Sequence, residues 1–318
     1  MKNKLKSFLS RIEAEGEAVS LRHGVSLREL TTMRVGGIAD IVVLPKNKTL
    51  FCNLLGEAYA LGIPFAVLGN GSNIIAGETP YEGVIFSTRG LKKIELIGTK
   101  IKADCGTGLN ELVLVAAKAC LSGIERLYGI PGTVGGALKM NAGAHGQSFA
   151  DCLLGATLFS FKTGRVFSLS AGELALSYRK SLLQEADDLV VLDATLCLAP
   201  RGAGQIKQEI AKVIELRRES QPLGQPSAGS VFRRPAADKP AWRYIEACGL
   251  RGRRIGGAQV SPKHAGFIVN TGDASAGDVL SLVGEIQSSV FSAFGVRLMP
   301  EVEFFHLSEE EKCRLPIL

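Results

Sequence analysis

The sequence predicts an α+β protein built from two lobes, with a smaller α+β region behind them. Strand-like and helix-like stretches alternate over the first two hundred residues, the pattern of mixed sheets with short helices. Two glycine-rich turns, at 68–73 and 129–146, are separated by roughly sixty residues, an arrangement that suits a dinucleotide held between two lobes. A Pro- and Gly-rich passage at 221–229 then marks the boundary of a basic third region.

Taken in order, residues 1–24 read as a short helix and connector. Residues 40–44 (DIVVL) read as a strand ended by Pro45, 50–61 as a helix stopped at Gly62, and 65–68 as the strand that completes a β-α-β unit. Residues 83–87 form a further strand, and 92–105 a hairpin turning at Gly98 and Thr99. Asn110 is placed to cap a helix running to Cys120, directly before the second glycine-rich stretch. Strands follow at 156–161, 165–169 and 189–198, then an amphipathic helix at 205–219 and a short one at 242–249. Ser275 and Asp278 have capping-box spacing before a helix to Phe294, whose apolar stripe is Val279, Leu280, Leu282, Val283, Ile286 and Val290. Residues 296–305 read as the last strand, with a frayed polar tail after His306.

Composition narrows the function classes. A chain of 318 residues that is 46% hydrophobic and 21% charged is globular and long enough for two or three cores. No apolar run reaches the length of a membrane span and the N-terminus has no apolar signal region, so a cytoplasmic enzyme is expected. Seven cysteines without a C-x-x-C pair are expected to be reduced, mostly buried small apolar residues; four scattered histidines suggest no metal. The net charge of +6 is concentrated between 231 and 270, where eight Lys or Arg face two acids, Asp238 and Glu246. Without a nucleic-acid motif or interleaved aromatics, that balance points to an anionic small molecule such as a nucleotide diphosphate, with no nucleic-acid or membrane partner.

Seven of the twenty-four residues from Gly123 to Gly146 are Gly, and Pro131 precedes Gly132, so the stretch reads as loop: Pro131 sets the first corner of a type II turn and Gly132 the positive φ of the second. Gly135 and Gly136 would then present bare backbone N–H groups to an anion or a flat ring. The upstream turn LGNGSN adds Ser and Asn donors suited to a pyrophosphate. A Rossmann fingerprint is excluded because position 74 is Ile where G-x-G-x-x-G needs Gly.

Six motifs in order, MRVGG (33–37), LGNGSN (68–73), GIPGTVGGALKMNAGAHG (129–146), SYRKS (177–181), AGSVF (228–232) and PEV (300–302), give a resemblance to the UDP-N-acetylenolpyruvoylglucosamine reductase family over about residues 25–306. The span from Arg179 to Ser230 is short, so the chain resembles the branch without a Tyr-bearing loop insertion. The resemblance implies a two-lobed FAD-binding domain of the vanillyl-alcohol oxidase (PCMH) type followed by a smaller α+β substrate-binding domain. In these terms 25–90 and 91–200 are the lobes, 201–228 a helix and linker, and 229–306 the substrate domain, with 1–24 ahead and a tail at 307–318.

The resemblance also implies a reaction: reduction of an enolpyruvyl ether on UDP-N-acetylglucosamine to a lactyl ether in peptidoglycan precursor synthesis, with NADPH as hydride donor and non-covalent FAD as carrier. Hydride reaching C3 pushes charge onto the substrate carboxylate, so the site must grip that carboxylate, stabilise an enolate-like dianion and protonate C2. Arg179 suits the first two tasks through a bidentate guanidinium, and Ser230 is implied as the proton donor, an enolate being basic enough to take a serine proton. Strand alternation puts Glu301 and Glu303 on one side and leaves the choice open; the motif selects Glu301, whose carboxyl beside developing negative charge is expected to carry a proton. The implied FAD cradle is Gly69, Asn70, Gly71, Ser72 and Asn73 with Ile130, Pro131, Gly132, Thr133, Val134, Gly135, Gly136, Asn141 and Gly143. Tyr178, Arg179, Arg233, Arg234, Lys263 and His264 are the implied substrate contacts. The sequence departs from the family pattern at Arg234, where relatives have Asn, and at His145, where they have Tyr. A monomer is expected.

Overall fold

The computed structural model describes residues 2–235 and 239–316; Asp238 of the basic region lies outside them. The chain divides into two compact units, each drawn from three segments: 1–23, 41–70 and 82–215 in the first, and 24–40, 71–81 and 216–318 in the second.

The chain opens with α1 (Lys2–Ala14) and β1 (Val19–Ser26). Half of the segment expected to be connector is therefore strand: β1 is an edge of a four-stranded sheet in the order β1-β2-β5-β3, a pairing partner that no local pattern announces. A single helical turn, α2 (Leu27–Leu30), leads to β2 (Ile38–Pro45), then α3 (Lys48–Leu61). Asn47 caps α3 by accepting the Leu50 N–H at 2.8 Å, and Gly62 closes it at φ 66 in the left-handed region. One face of α3 buries Leu50, Phe51, Leu54, Leu55 and Ala58 in the core of the first unit, about 1.5–3 kcal/mol for each large apolar side chain. Strands β3 (Phe65–Leu68), β4 (Ile74–Ala76) and β5 (Tyr81–Ser87) follow. The β-α-β unit forms, with β5 inserted between its two strands and parallel to β3.

The expected hairpin is present as β6 (Ile94–Ile97) and β7 (Lys100–Asp104), with Gly98 at φ 60 in its turn. Next come α4 (Leu109–Lys118), the two-residue strand β8 (Leu121–Ser122), a short helix α5 (Val134–Lys139), and the small hairpin β9 (Gly143–Ala144) and β10 (Gln147–Ser148). Asn110 does not cap α4: Gly108 holds the cap position, and the Asn110 carbonyl oxygen accepts the Gly129 N–H at 2.6 Å. Strands β11 (Leu153–Ser160), β12 (Arg165–Ser170) and β13 (Leu189–Cys197) join the hairpin in a five-stranded antiparallel sheet, order β12-β11-β13-β7-β6. Inside this unit the Lys48 ammonium bridges Asp104 at 2.8 Å and Asp193 at 2.6 Å, tying α3 to β7 and β13. Burial opposes its charge, but the two carboxylates outweigh burial and raise its pKa.

After β14 (Ala199–Pro200) and α6 (Ala203–Ser220), the second unit continues with β15 (Ser227–Ser230), α7 (Ala241–Ala247), β16 (Arg254–Ile255), β17 (Ala258–Val260) and β18 (Phe267–Asn270). These strands form an antiparallel sheet, order β15-β18-β17-β16. The capping box of Ser275 and Asp278 opens α8 (Ala276–Phe294), and all six expected stripe residues are buried in this unit's own core. The last strand is far shorter than the apolar alternation suggests: β19 (Glu303–Phe305) pairs in parallel with β4, and 296–302 approach it as irregular chain. Nor is the tail, through residue 316, without structure. Helix α9 (Glu309–Lys312) carries a capping box, Glu311 is buried and accepts the Glu78 N–H at 2.9 Å, and Leu315 packs in the core. Cys52 and Cys105 are buried, but Cys120, Cys197 and Cys313 are exposed, so the cysteines are less uniformly interior than expected.

Candidate active site

In the first unit, the stretch expected to be pure loop contains α5. Thr133 makes this possible: its side chain caps the helix by accepting the Gly136 N–H at 3.4 Å, and the Gly135 N–H donates to Cys105 O at 2.8 Å. The two glycines are consequently not bare donors; both N–H groups are spent on fixing the helix. Gly132 lies outside the positive-φ residues and the left-handed turn falls at Gly129, φ 84, so the type II turn at Pro131–Gly132 does not form.

Gly69 and Asn70, the start of the first glycine-rich turn, meet the second glycine-rich stretch within this unit. The Asn70 amide donates to Pro131 O at 3.0 Å, and a Cβ on Gly69 would stand 2.5 Å from Thr133 Oγ1. Arg89 adds a bond to Asn70 O at 3.3 Å, a contact with no sequence signal beyond a basic residue after a strand. From Gly69 to Asn73, among the described residues, no backbone N–H donates to a carbonyl. Gly71 is buried at φ 61, where a Cβ would come within 2.3 Å of Leu30 O. These N–H groups, of Gly69 and Asn70 in the first unit and of Gly71, Ser72 and Asn73 in the second, are donors of the kind an anion accepts.

Arg179 occupies the tip of a tight turn in the same unit, closed by Ser177 N–H to Lys180 O at 3.0 Å and Lys180 N–H to Ser177 O at 3.1 Å. It sits at φ 54, a left-handed conformation that is costly for a side chain with a Cβ. The turn is strapped to the end of the glycine-rich stretch: Asn141 Nδ2 donates to Ser177 O at 2.8 Å, Ser181 Oγ to Lys139 O at 2.6 Å, and Arg179 Nη2 to Gly143 O at 3.1 Å. Asn141 and Gly143, expected at the cofactor, thus also orient the arginine turn. Tyr178 is exposed beside it, the guanidinium carbon 5.5 Å from the ring centroid. His145, also at positive φ, is exposed, and its carbonyl accepts from Arg126 Nη1 at 2.9 Å.

In the second unit, Ser230 ends β15, and a register irregularity between Ser227 and Ser230 decides where it points. Unbroken alternation would hide Ser230 on the same face as Ala228; instead Ala228 and Val231 are buried and Ser230 is half-exposed. Val231 O accepts the Glu301 N–H at 2.7 Å, and the Val231 N–H donates to Gly266 O at 2.9 Å. The serine and the glutamate are therefore separated by one residue and one main-chain hydrogen bond. A Cβ at Gly266 would lie 3.3 Å from Ser230 Oγ and 3.1 Å from His264 Nδ1.

His264 is half-buried between Trp242 and Phe267, with ring centroids at 6.0 and 4.9 Å. Burial holds its imidazole below the ordinary histidine value, with the Arg251 charge adding to the effect. Its Nδ1 accepts the Gly266 N–H at 3.1 Å, which puts the proton of the neutral ring on Nε2. Because the unfolded chain protonates this histidine first, stability is expected to fall as pH drops through the ordinary value near 6.5 toward the lower folded one. Melting temperatures between pH 8 and 5 check this: His264→Gln should show a shallower acid loss than the native chain, and an unchanged slope would refute it.

Lys263 Nζ bonds Arg218 O at the end of α6, a natural seat for a cation. Arg234 is exposed, and Arg233, whose N–H donates to Met299 O at 2.9 Å, has its Nε shut from solvent without a partner among the described residues. Asn270 is a structural residue that sequence reading missed: buried, it donates to Met33 O and Arg34 O at 3.1 and 3.2 Å and accepts from Gly272 and Ala274.

The fold of the first unit is that of the FAD-binding domain of a flavin-dependent oxidoreductase. Residues 39–170 match the FAD binding domain family, and 221–305 match the UDP-N-acetylenolpyruvoylglucosamine reductase C-terminal domain family. The chain is 40% identical to the UDP-N-acetylenolpyruvoylglucosamine reductase of Caldanaerobacter subterraneus subsp. tengcongensis over 87% of its length and 91% of the relative's. It is 41% identical to that of Caldicellulosiruptor bescii, covering 87% and 88%. The crystal structure of the reductase (MurB) from Thermus caldophilus superposes with a TM-score of 0.76 at 35% identity, covering 91% of this chain and 99% of that one. The chain belongs to the UDP-N-acetylenolpyruvoylglucosamine reductase family, and is an FAD-dependent oxidoreductase of peptidoglycan synthesis. Among the described residues no helix is long and apolar enough to cross a membrane.

Proposed function

We propose that the protein reduces UDP-N-acetylglucosamine enolpyruvate to UDP-N-acetylmuramate with NADPH, acting as a cytoplasmic monomer. The observation that carries the catalytic assignment is the main-chain bond from Glu301 N–H to Val231 O, the residue next to Ser230. FAD, when bound, would supply the hydride chemistry between NADPH and C3 of the enolpyruvyl group. The backbone N–H groups of 69–73 would hold its diphosphate, and Thr133 fixes the short helix it caps. Arg179 grips the substrate carboxylate and offsets the charge that develops on it. Ser230 Oγ gives its proton to C2, and Glu301 donates a hydrogen bond to the enolate-like state. Arg233, Arg234, Lys263 and His264 supply the charges and donors for the diphosphate and uracil, with Tyr178 against the sugar.

The test is an anaerobic spectrum of the FAD-loaded protein, bleached with NADPH and then mixed with the enolpyruvyl substrate. Prompt return of the oxidised bands with formation of lactyl product is the expected result. A flavin that stays reduced would overturn the substrate assignment, and failure to bleach would overturn NADPH as donor.

A further inference from the structure

The two asparagines of LGNGSN have different employment. Asn70 braces the neighbouring glycine-rich stretch, as described above. Asn73 braces something else: its Nδ2 donates to Glu301 O at 3.0 Å, and its own carbonyl accepts the Glu303 N–H at 2.8 Å, where β19 pairs with β4. Glu301 lies just outside that strand, so no ladder fixes it. Its main chain is instead pinned at both polar groups, the N–H by Val231 O at 2.7 Å and the C=O by the Asn73 amide. With both held, the backbone of Glu301 has little freedom left, and its carboxyl reaches its target through side-chain rotation alone.

We propose that Asn73 is a positioning residue for Glu301, joining the cofactor-binding turn to the acid that serves the second half-reaction; this rests on the catalytic reading of Glu301 given above. The same residue whose backbone faces the diphosphate uses its side chain to set where Glu301 stands. Displacing a catalytic group by about 1 Å costs on the order of 100-fold in rate, and the loss of the Asn73 amide is expected to act on that scale. A residue that works only through another shows non-additive loss.

The experiment is a double-mutant cycle of Asn73→Ala and Glu301→Gln in the FAD-loaded full chain. It reads FAD content, the rate of bleaching by NADPH and the rate of reoxidation by the enolpyruvyl substrate. With both rates read per bound FAD, Asn73→Ala is expected to slow reoxidation about 100-fold more than bleaching, and to slow reoxidation of the Glu301→Gln enzyme no further. If the two losses multiply in the double variant, or if Asn73→Ala slows bleaching as much as reoxidation, the positioning role is overturned. If Glu301→Gln reoxidises at the native rate, the reading of Glu301 itself fails, an outcome distinct from the previous two. Asn73→Asp keeps the side chain's size but loses the amide donor; it repeats the cycle should the alanine variant not fold, with the same expected results.

Discussion

Ser230→Ala is expected to bind FAD and to be bleached by NADPH at native rates, while reoxidation by the enolpyruvyl substrate slows by about 10²–10⁴-fold, the usual weight of a positioned proton donor. The prediction separates the half-reactions because the serine hydroxyl is assigned only to the protonation of C2. The backbone should tolerate the change: Ser230 sits at the end of β15, paired with Phe267, and the small alanine side chain fits the space that the hydroxymethyl group leaves beside Gly266. Stopped-flow absorbance under anaerobic conditions measures both rates in one preparation. Reoxidation within a few-fold of native would remove Ser230 from the mechanism. Equal slowing of both half-reactions would mean the substitution had disturbed the site rather than removed a proton.

Arg179 gives the second large effect, and stability and activity should move separately. Its φ of 54 costs a residue with a Cβ about 1–2 kcal/mol, a strain that Gly would not carry. Arg179→Gly relieves that strain and loses the bonds from Nη1 to Asn141 O and from Nη2 to Gly143 O, so its melting temperature should stay within a few degrees of native. Turnover should nevertheless fall by about 10²–10³-fold, the scale of losing one preorganised electrostatic contact to a developing oxyanion. Arg179→Lys keeps the charge but not the planar two-pronged donor and should recover only part of that loss. Thermal denaturation and steady-state turnover on the two variants test this together. A glycine variant as active as native would show that the strained arginine is not there for the carboxylate.

The cofactor half of the site was more legible than the catalytic half. Two glycine-rich turns announce a close-packed backbone, since Gly71 takes a left-handed φ of 61 and a Cβ there would stand 2.3 Å from Leu30 O. Sequence could not tell which donors stay available. Gly135 and Gly136 read as bare N–H groups, yet they are spent on Cys105 O and the Thr133 hydroxyl, whereas no N–H of 69–73 donates to a carbonyl among the described residues. Ser230 and Glu301 were reached through motifs; their mutual placement depends on residues about 70 positions apart.

What the sequence by itself determined was whatever a few adjacent residues encode. Gly62 stops α3, Ser275 and Asp278 start α8, Gly98 turns the β6–β7 hairpin, and the apolar stripe of α8 finds the core, because capping, turn geometry and helical period act within a turn or two of chain. Tertiary structure alone decided the rest. It made 19–26 an edge strand, cut the last strand to three residues, left Ser230 half-exposed after a register irregularity, and set Glu301 between Val231 O and an asparagine amide 228 positions away. Each of these depends on a hydrogen-bond partner from a distant segment, and such a partner leaves no periodicity, cap or turn signal at the residue it fixes.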